Sequence, residues 1–546
     1  MAPATLPTPL VSRRGGAATR HLPAAALVLV ALATYANGVT NDFAWDDHVI
    51  VVQGSAQAGP SEIRRALTSP DVVLRSQPAP YYRPLTRLTF VVDRALFGLD
   101  PLPYHVENVV LHLAAVLALF ALARSVAGGS GAAFVAALLF AVHPVNAETV
   151  DFVSARNNAL VALFTLTACI AYLRARDTGR ARPLLAASGL FLLAVASKET
   201  GLMLLPFLAL HELTSAARDE ERLRPRLVRL ASLGIVAAAY LAARTLVLSS
   251  AGGPPIALAS AAEALARGLH VVPRYLALVI FPAGLTVHHP EPETFLASRL
   301  ALLCAWVAIV VATALLVRQR RPAARFGLLW FAVNLLPVSG IIPIPSAALA
   351  ERYLYVPAIG LWLVVGDQAA LLARRFPRRR PVAWAIAAVA VALAAITIRR
   401  NRDWKDDLAL FSSAVRVDPR STEASYNHAV ALDARGDPDA ARREWERTLR
   451  LDPGHVGALA RLGTLHAERG ALDAAASYFS RVLALQPDHV ETRFNLALLL
   501  ERLGRREDAL DQYREFIRLH PVDYPELERR VRERIRALGG ATGAER

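Results

Sequence analysis

Long apolar runs, separated by short polar stretches rich in arginine, fill the first 400 residues of this chain. A helix of about 17–25 apolar residues is long enough to cross the hydrocarbon core of a bilayer. Eleven such runs can be drawn, near 22–40, 104–123, 130–143, 157–173, 183–197, 200–216, 227–248, 298–317, 326–342, 353–373 and 382–398. The third is short and stops at His143-Pro144. A further apolar piece near 263–282 has both flanks on one side of the membrane by parity, so it is expected in the interface or as a re-entrant segment.

Past residue 400 the spacing changes. Pro419, Pro453, Pro487 and Pro521 fall 34 residues apart, as do Gly436, Gly470 and Gly504, and Ala441, Ala475 and Ala509. A helix–turn–helix period of 34 is the tetratricopeptide pattern, in which glycine makes the tight turn and a small residue lets the two helices approach. Three units are predicted, 422–455, 456–489 and 490–523. Segment 404–418 reads as the second helix of an incomplete leading unit, and 525–538 as a capping helix. The predicted fold is all-α: a tail over 1–21, a polytopic membrane helical bundle over 22–400 and an α-solenoid over 401–546. Such solenoids present a concave face suited to a protein or peptide, and nothing catalytic is visible in this one.

Charge sharpens the division. The chain of 546 residues carries a formal net charge of +15, yet residues 401–546 hold 24 Lys and Arg against 25 Asp and Glu. The basic excess belongs to the first 400 residues, where it sits in clusters: Arg174 to Arg182, Arg218 to Arg229, Arg318 to Arg325 and Arg374 to Arg380. Clusters between apolar runs mark cytoplasmic loops, and they argue against a contiguous nucleic-acid surface. The tail, with Arg13, Arg14 and Arg20, is then cytoplasmic. Loop 41–103 is outside, and after eleven spans the repeats share that outer compartment. Cys169 and Cys304 lie within apolar runs, so no disulfide framework or cysteine-based metal site is expected.

The outer side gathers the polar residues that call for a reason. Asp46 and Asp47 stand side by side after Trp45, just past the first run. A carboxylate near an apolar surface is desolvated and made more basic, as a general base needs; a capping or surface pair is the plainer reading. Tyr81-Tyr82-Arg83 opens an amphipathic stretch to Phe97, expected as an interfacial helix. His105, Asn108 and His112 share one helical face, which suggests a face turned to a cavity. Further along come His143, Glu148 and Arg156, then Lys198-Glu199, then Glu351-Arg352. Lys198 and Lys405 are the chain's two lysines. Ionisable groups at membrane depth are costly and default to functional candidates. Arg83, Arg156, Lys198 and Arg352 would form a positive wall suited to a phosphate. Some of these residues could instead be structural ion pairs.

The segments FAWDDHVI, YYRPLTRLTF, LFAVHPVNAETVDFVSARN, SKETG and ERYLYVP, in this order and followed by the repeats, resemble the transmembrane and tetratricopeptide-repeat protein O-mannosyltransferases and their bacterial relatives. The similarity runs through nearly the whole chain. It implies the GT-C fold, an active site in the first outer loop with the family's paired acids at Asp46 and Asp47, and transfer of mannose from a lipid phosphate to Ser/Thr hydroxyls. Arginine- and alanine-rich composition implies a bacterial inner membrane, a polyprenyl-phosphate sugar donor and an extracytoplasmic site. Arg83, His105, His143, Glu148, Arg156, Lys198, Glu199 and Arg352 are the candidates for holding donor phosphate or substrate. The expected partners are the lipid-linked sugar and a protein acceptor captured by the repeats. A divalent metal has no support in these motifs. Two other readings stay open: a membrane-anchored scaffold without activity, and a ligase or polymerase of lipid-linked glycans.

Overall fold

The structure, a computed structural model, describes residues 17–54, 60–70, 72–74, 77–78, 81–127, 129–216, 223–249, 261–290, 298–340, 349–376, 380–519 and 525–540. Apart from a short antiparallel ladder of Val72–Leu74 with Gln77–Pro78, the regular structure of these residues is helical. Each of the eleven apolar runs is helical over most of its length: Ala17–Tyr35, Pro101–Val126, Ser130–Val142, Arg156–Thr178, Ala181–Ser197, Leu204–Ala216, Leu223–Ser249, Arg299–Arg318, Pro322–Leu335, Ala358–Arg375 and Arg380–Asn401. Among the described residues, five helices are long and apolar enough to cross a membrane alone, and a bent pair, Ser130–Val142 with Pro144–Asp151, makes a sixth. The other runs form shorter helices. Ala181–Ser197, for example, ends where Lys198 turns to an extended conformation.

The 54° bend of the third run has a local cause. Proline disfavours the α conformation in the residue before it. His143 accordingly adopts φ −76° and ψ 129°, and its Nδ1 accepts from the Val145 amide at 3.2 Å to cap the new turn. The helices around it approach closely through small residues. Helices Pro322–Leu335 and Ala358–Arg375 cross at Gly327 and Gly360, each of which faces the other's carbonyl with no room for a Cβ. Gly366 lies likewise against Ala132 and Ala136. Side chains on the outer helices point away from the protein: no residue of Arg299–Arg318 is buried, and Leu300, Leu303, Val310 and Leu315 are exposed. In a bilayer such residues meet lipid chains, so their exposure carries no aqueous penalty. The amphipathic stretch is the helix Pro84–Phe97, and the piece near 263–282 is the helix Ala261–Ile280.

The repeats form where the period places them. Helix pairs Thr422–Ala434 with Pro438–Leu451, Val456–Glu468 with Leu472–Leu485, and Val490–Arg502 with Arg506–Arg518 are preceded by Asp407–Val417 and followed by Pro525–Gly540. Gly436, Gly470 and Gly504 adopt φ of +80°, +76° and +73°, the left-handed turn that glycine enters without a Cβ clash. Ala441, Ala475 and Ala509 are fully buried, and Trp445, Phe479 and Tyr513, again 34 apart, form the aromatic core of successive units. Arg447 and Arg481 repeat one contact, donating to the Pro419 and Pro453 carbonyls at 2.7 and 3.1 Å.

The solenoid is joined tightly to the start of the membrane body. Asn37 Nδ2 donates to the Ile398 carbonyl at 2.8 Å and Asn41 Nδ2 to the Asn401 carbonyl at 3.1 Å, while Asn401 Nδ2 returns to Thr34 and Asn37. Trp45 stacks on Phe152 and Phe152 on Trp404, with ring centroids 5.4 and 5.2 Å apart. The segments around Trp45, Phe152 and Trp404, the last at the entry to the repeats, therefore meet in one place.

Candidate active site

The two adjacent aspartates have different surroundings. Asp47 is fully buried. Its Oδ1 accepts from the Ser154 amide at 2.7 Å and the Ser154 hydroxyl at 2.5 Å, and its Oδ2 accepts from the Ala44 amide at 3.2 Å. Three donors on one carboxylate fasten the segment around Asp47 to the turn Val153–Ala155. Burial pushes the Asp47 carboxyl up to about 7 against the pull of those donors. Asp46 is only partly buried. Among the described residues no group donates to its carboxylate, which lies in the field of the Arg352 guanidinium. Burial raises the Asp46 carboxyl above its usual range, and Arg352 partly offsets that rise.

Backbone geometry sets the pair. Trp45 adopts φ 56°, in the left-handed region that a bulky side chain rarely enters. The Asp46 carbonyl then accepts from the amides of Val49 and Ile50 at 3.1 and 2.8 Å, opening the turn His48–Gln53. Strain at such a residue persists where its surroundings over-determine it, and it concentrates at functional sites.

Arg352 links Asp46 to the other polar segments, since Arg83, Arg352, Glu199 and Glu148 all lie close enough to Lys198 to act on its charge. Arg352 pairs with Glu148, which accepts from its guanidinium and also from its backbone amide at 2.8 Å. The Arg352 guanidinium lies over the rings of Trp45 and Tyr353, at 5.5 and 5.1 Å. Arg83 Nε donates to Glu199 at 3.0 Å and the guanidinium covers Tyr81 at 4.2 Å. Although burial opposes it, the Arg83 charge holds the Glu199 carboxyl below its usual range. Lys198 Nζ donates to Asn158 Oδ1 at 2.5 Å and lies 5.3 Å from the centre of the Tyr353 ring. Among the described residues Lys198 has no carboxylate within ion-pair distance, unlike Arg83 and Arg352. Burial, with the charges of Arg83 and Arg352, holds its ammonium well below the usual lysine range.

Three other candidates have packing contacts of their own. Arg156 is fully buried and bonded to Asp93 at 2.5 Å, to Glu107 at 3.0 Å and to Asn108 Oδ1 at 2.9 Å, with Phe90 beneath its guanidinium. A cation already matched by two carboxylates has little charge left for a phosphate, and its contacts tie helix Pro84–Phe97 to helix Pro101–Val126. His143 is satisfied by backbone, Nε2 facing the Val279 carbonyl at 3.0 Å. His105 Nε2 faces the Asp42 carbonyl at 3.4 Å. His112, on the same face, is buried between the Tyr355 hydroxyl and the Ala141 carbonyl. His105, Asn108 and His112 are all buried, and Asn108 donates to the Val150 and Phe152 carbonyls, so this face packs into the bundle. Glu351 is buried beneath the Thr286 amide, at 2.6 Å, and Arg400.

Sequence reasoning gave no role to Ser154, Asn158, Tyr353 or Asp93. Ser154 lies two residues before Arg156 in the segment LFAVHPVNAETVDFVSARN and Asn158 just beyond its end, and their polarity within an apolar context is the available signal. Among the described residues no group of three or more His, Cys, Asp or Glu side chains is gathered that could hold a metal ion.

Comparisons with known proteins agree with this division. Residues 88–243 match the family model of dolichyl-phosphate-mannose-protein mannosyltransferases, and 393–456, 426–490 and 461–524 match that of the tetratricopeptide repeat. A Caenorhabditis elegans protein O-mannosyl-transferase is 25% identical over 446 residues, 79% of this chain and 62% of its own length. Human protein O-mannosyl-transferase TMTC1 is 26% identical over 83% of this chain and 58% of its own, and Drosophila melanogaster Tmtc3 is 28% identical over 70% and 50%. The chain thus spans about three fifths or less of the length of these relatives. Among solved structures, ArnT of Cupriavidus metallidurans bound to undecaprenyl phosphate aligns over 91% of this chain and 80% of its own with a TM-score of 0.43 at 15% identity. The apo oligosaccharyltransferase of Archaeoglobus fulgidus aligns over 72% and 57% with a TM-score of 0.42 at 14% identity. A multi-pass membrane body of the protein mannosyltransferase type, continued by tetratricopeptide repeats, makes this chain a relative of the transmembrane and tetratricopeptide-repeat protein O-mannosyl-transferases.

Proposed function

We propose that this protein transfers a sugar, mannose in the first instance, from a polyprenyl-phosphate carrier to a hydroxyl of a protein held by its repeats. One observation carries the reading: a partly buried carboxylate without a donor among the described residues, Asp46, lies in the field of Arg352, which together with Arg83 lies near the buried Lys198, a cation with no carboxylate of its own within ion-pair distance. Asp46 is the base. It takes the proton of the acceptor hydroxyl as that oxygen attacks the anomeric carbon, so one C–O bond forms while the bond to phosphate breaks. The bonding pair leaves with the lipid phosphate, and configuration inverts. Lys198, with Arg83 and Arg352, stabilises the charge gathering on the departing phosphate. A phosphate leaving group needs no acid catalyst. Asp47 acts by holding the loop that carries Asp46.

The eleven apolar helices cross the membrane with the N-terminal tail in the cytoplasm. Loop 41–103 and the repeats then lie on the extracytoplasmic side of a bacterial inner membrane. The bonds from Asn37 and Asn41 to the end of helix Arg380–Asn401 support that shared side. The test is transfer of labelled mannose from polyprenyl-phosphate-mannose to co-expressed envelope proteins. Wild type is expected to label protein and Asp46→Asn to fail while remaining folded. Full activity in Asp46→Asn overturns the assignment of the base; absence of transfer by folded wild type with any sugar donor overturns the reading itself.

A further inference from the structure

The first helix of the repeat domain, Asp407–Val417, reaches into the catalytic loop. Asp407 Oδ1 accepts from the Trp45 amide at 2.7 Å, and its Oδ2 lies 3.1 Å from His48 Nε2. The residues on either side of Asp46-Asp47 are thus held by one carboxylate located about 360 positions later in the sequence. Beside it, the Lys405 carbonyl accepts from the Asp42 amide at 2.9 Å. Trp45 is the residue with φ 56°, a strained conformation that must be maintained by its neighbours. The bond from its amide to Asp407 is directed at that strained unit.

We propose that Asp407 is a positioning residue for the Asp46 base, clamping Trp45 and His48 on its two flanks, so that the repeat domain supplies part of the catalytic loop's support as well as a surface for the acceptor. The inference rests on Asp46 being the base, but the clamp itself does not. Burial also favours it: Trp45 is closed in by Phe152 on one face and His288 at its edge, with centroids 5.4 and 5.5 Å away, and His288 stacks on Phe411 of the same repeat helix. Capture of a polypeptide by the repeats and alignment of the base are then mechanically joined, because displacing helix Asp407–Val417 moves both flanks of Asp46.

The test uses the full-length protein and three variants: Asp407→Ala, which removes both acceptors; Asp407→Asn, which keeps an oxygen for the Trp45 amide; and Asp437→Ala, which removes the side-chain cap on the Ala440 amide one unit further along. Hydrogen–deuterium exchange over residues 41–48 and steady-state transfer are measured on each. Asp407→Ala should lose protection over 41–48 and fall on the order of tenfold to a hundredfold in kcat, with donor KM little changed, since small misplacements of a reacting group cost rate first. Asp407→Asn should recover most of both, and Asp437→Ala should leave 41–48 as in wild type. Unchanged protection in Asp407→Ala, or equal loss in Asp437→Ala, overturns the clamp. If wild type transfers no sugar, the functional reading fails, and the exchange result still decides the clamp.

Discussion

Ser154 donates both its amide and its hydroxyl to a single oxygen of Asp47, at 2.7 and 2.5 Å. Asp46, one residue earlier, has no such donors among the described residues. The neighbours are therefore expected to fail differently when changed. Asp46→Asn should cut transfer roughly a hundredfold to ten-thousandfold, the range associated with a lost general base, with exchange over 41–48 unaltered. Asp47→Asn places an amide against the Ala44 N–H and should lose activity together with protection of the loop. Exchange over 41–48 in the two variants separates the roles; loop disorder in Asp46→Asn alone would reverse them.

The pH dependence follows from the same pair. A base acts in its ionised form, so transfer should rise with pH through the raised value of Asp46, giving an acid limb. Arg352 is the charge that lowers that value. Arg352→Gln should therefore move the acid limb to higher pH, measured as kcat between pH 5 and 9. Asp47 has the opposite effect on stability. Its carboxyl is raised to about 7 in the folded protein from about 4 in an open chain, so it holds a proton in the folded state where the unfolded state has lost it. Stability from this group is complete below about 4 and declines as pH rises towards 7. The thermal midpoint of wild type should fall over that window more steeply than that of Asp47→Asn.

Lys198 tests the anion side. Because Arg83 is matched by Glu199 and Arg352 by Glu148, the charge of Lys198 is the one left to meet a phosphate. Lys198→Met should reduce kcat/KM for the lipid donor by on the order of a hundredfold, as loss of one donor to a developing charge does. Arg156→Met should instead lower the yield of folded protein, since Asp93 and Glu107 would be left buried without their cation. Equal loss of kcat/KM in both, with equal folded yield, would place Arg156 in the site.

How far the sequence reached depends on what each feature rests on. The repeats are legible because their signal is periodic: the 34-residue spacing locates each glycine turn and each buried alanine. The membrane helices were legible as apolar runs, yet Gly327 against Gly360 was not, since close approach of two helices leaves no mark on either one alone. In the site, Asp46, Lys198 and Arg352 stood out as charges among apolar residues. The division of labour between Asp46 and Asp47 did not, because it is set by Ser154, more than a hundred residues away. Arg156 looked like a phosphate ligand for the same reason as Lys198; only its contacts with Asp93 and Glu107 distinguish them. The Gly327–Gly360 crossing makes its own prediction. Gly360→Ala should destabilise the membrane body by about 1–3 kcal/mol through overpacking, seen as a lowered thermal midpoint in detergent with the repeats still folded.

The repeat period allows a cleaner test of acceptor capture than truncation. Removing everything from residue 405 takes away the Lys405 carbonyl and Asp407, and so should disable transfer to every acceptor. Excising residues 456–489 removes one whole unit and joins Asp452-Pro453 of the first unit to the helix starting at Val490. Ala441, Ala475 and Ala509 occupy equivalent buried positions, so the shortened solenoid can restack with its capping helix in place. Asp407 and the catalytic loop are untouched. If the repeats concentrate the acceptor near Asp46, the excision should raise KM for a protein acceptor and leave transfer to a short Ser/Thr peptide unchanged. Equal loss on both acceptors would show that the solenoid acts on the site through its fold alone, and unchanged transfer to both would remove the second unit from acceptor binding.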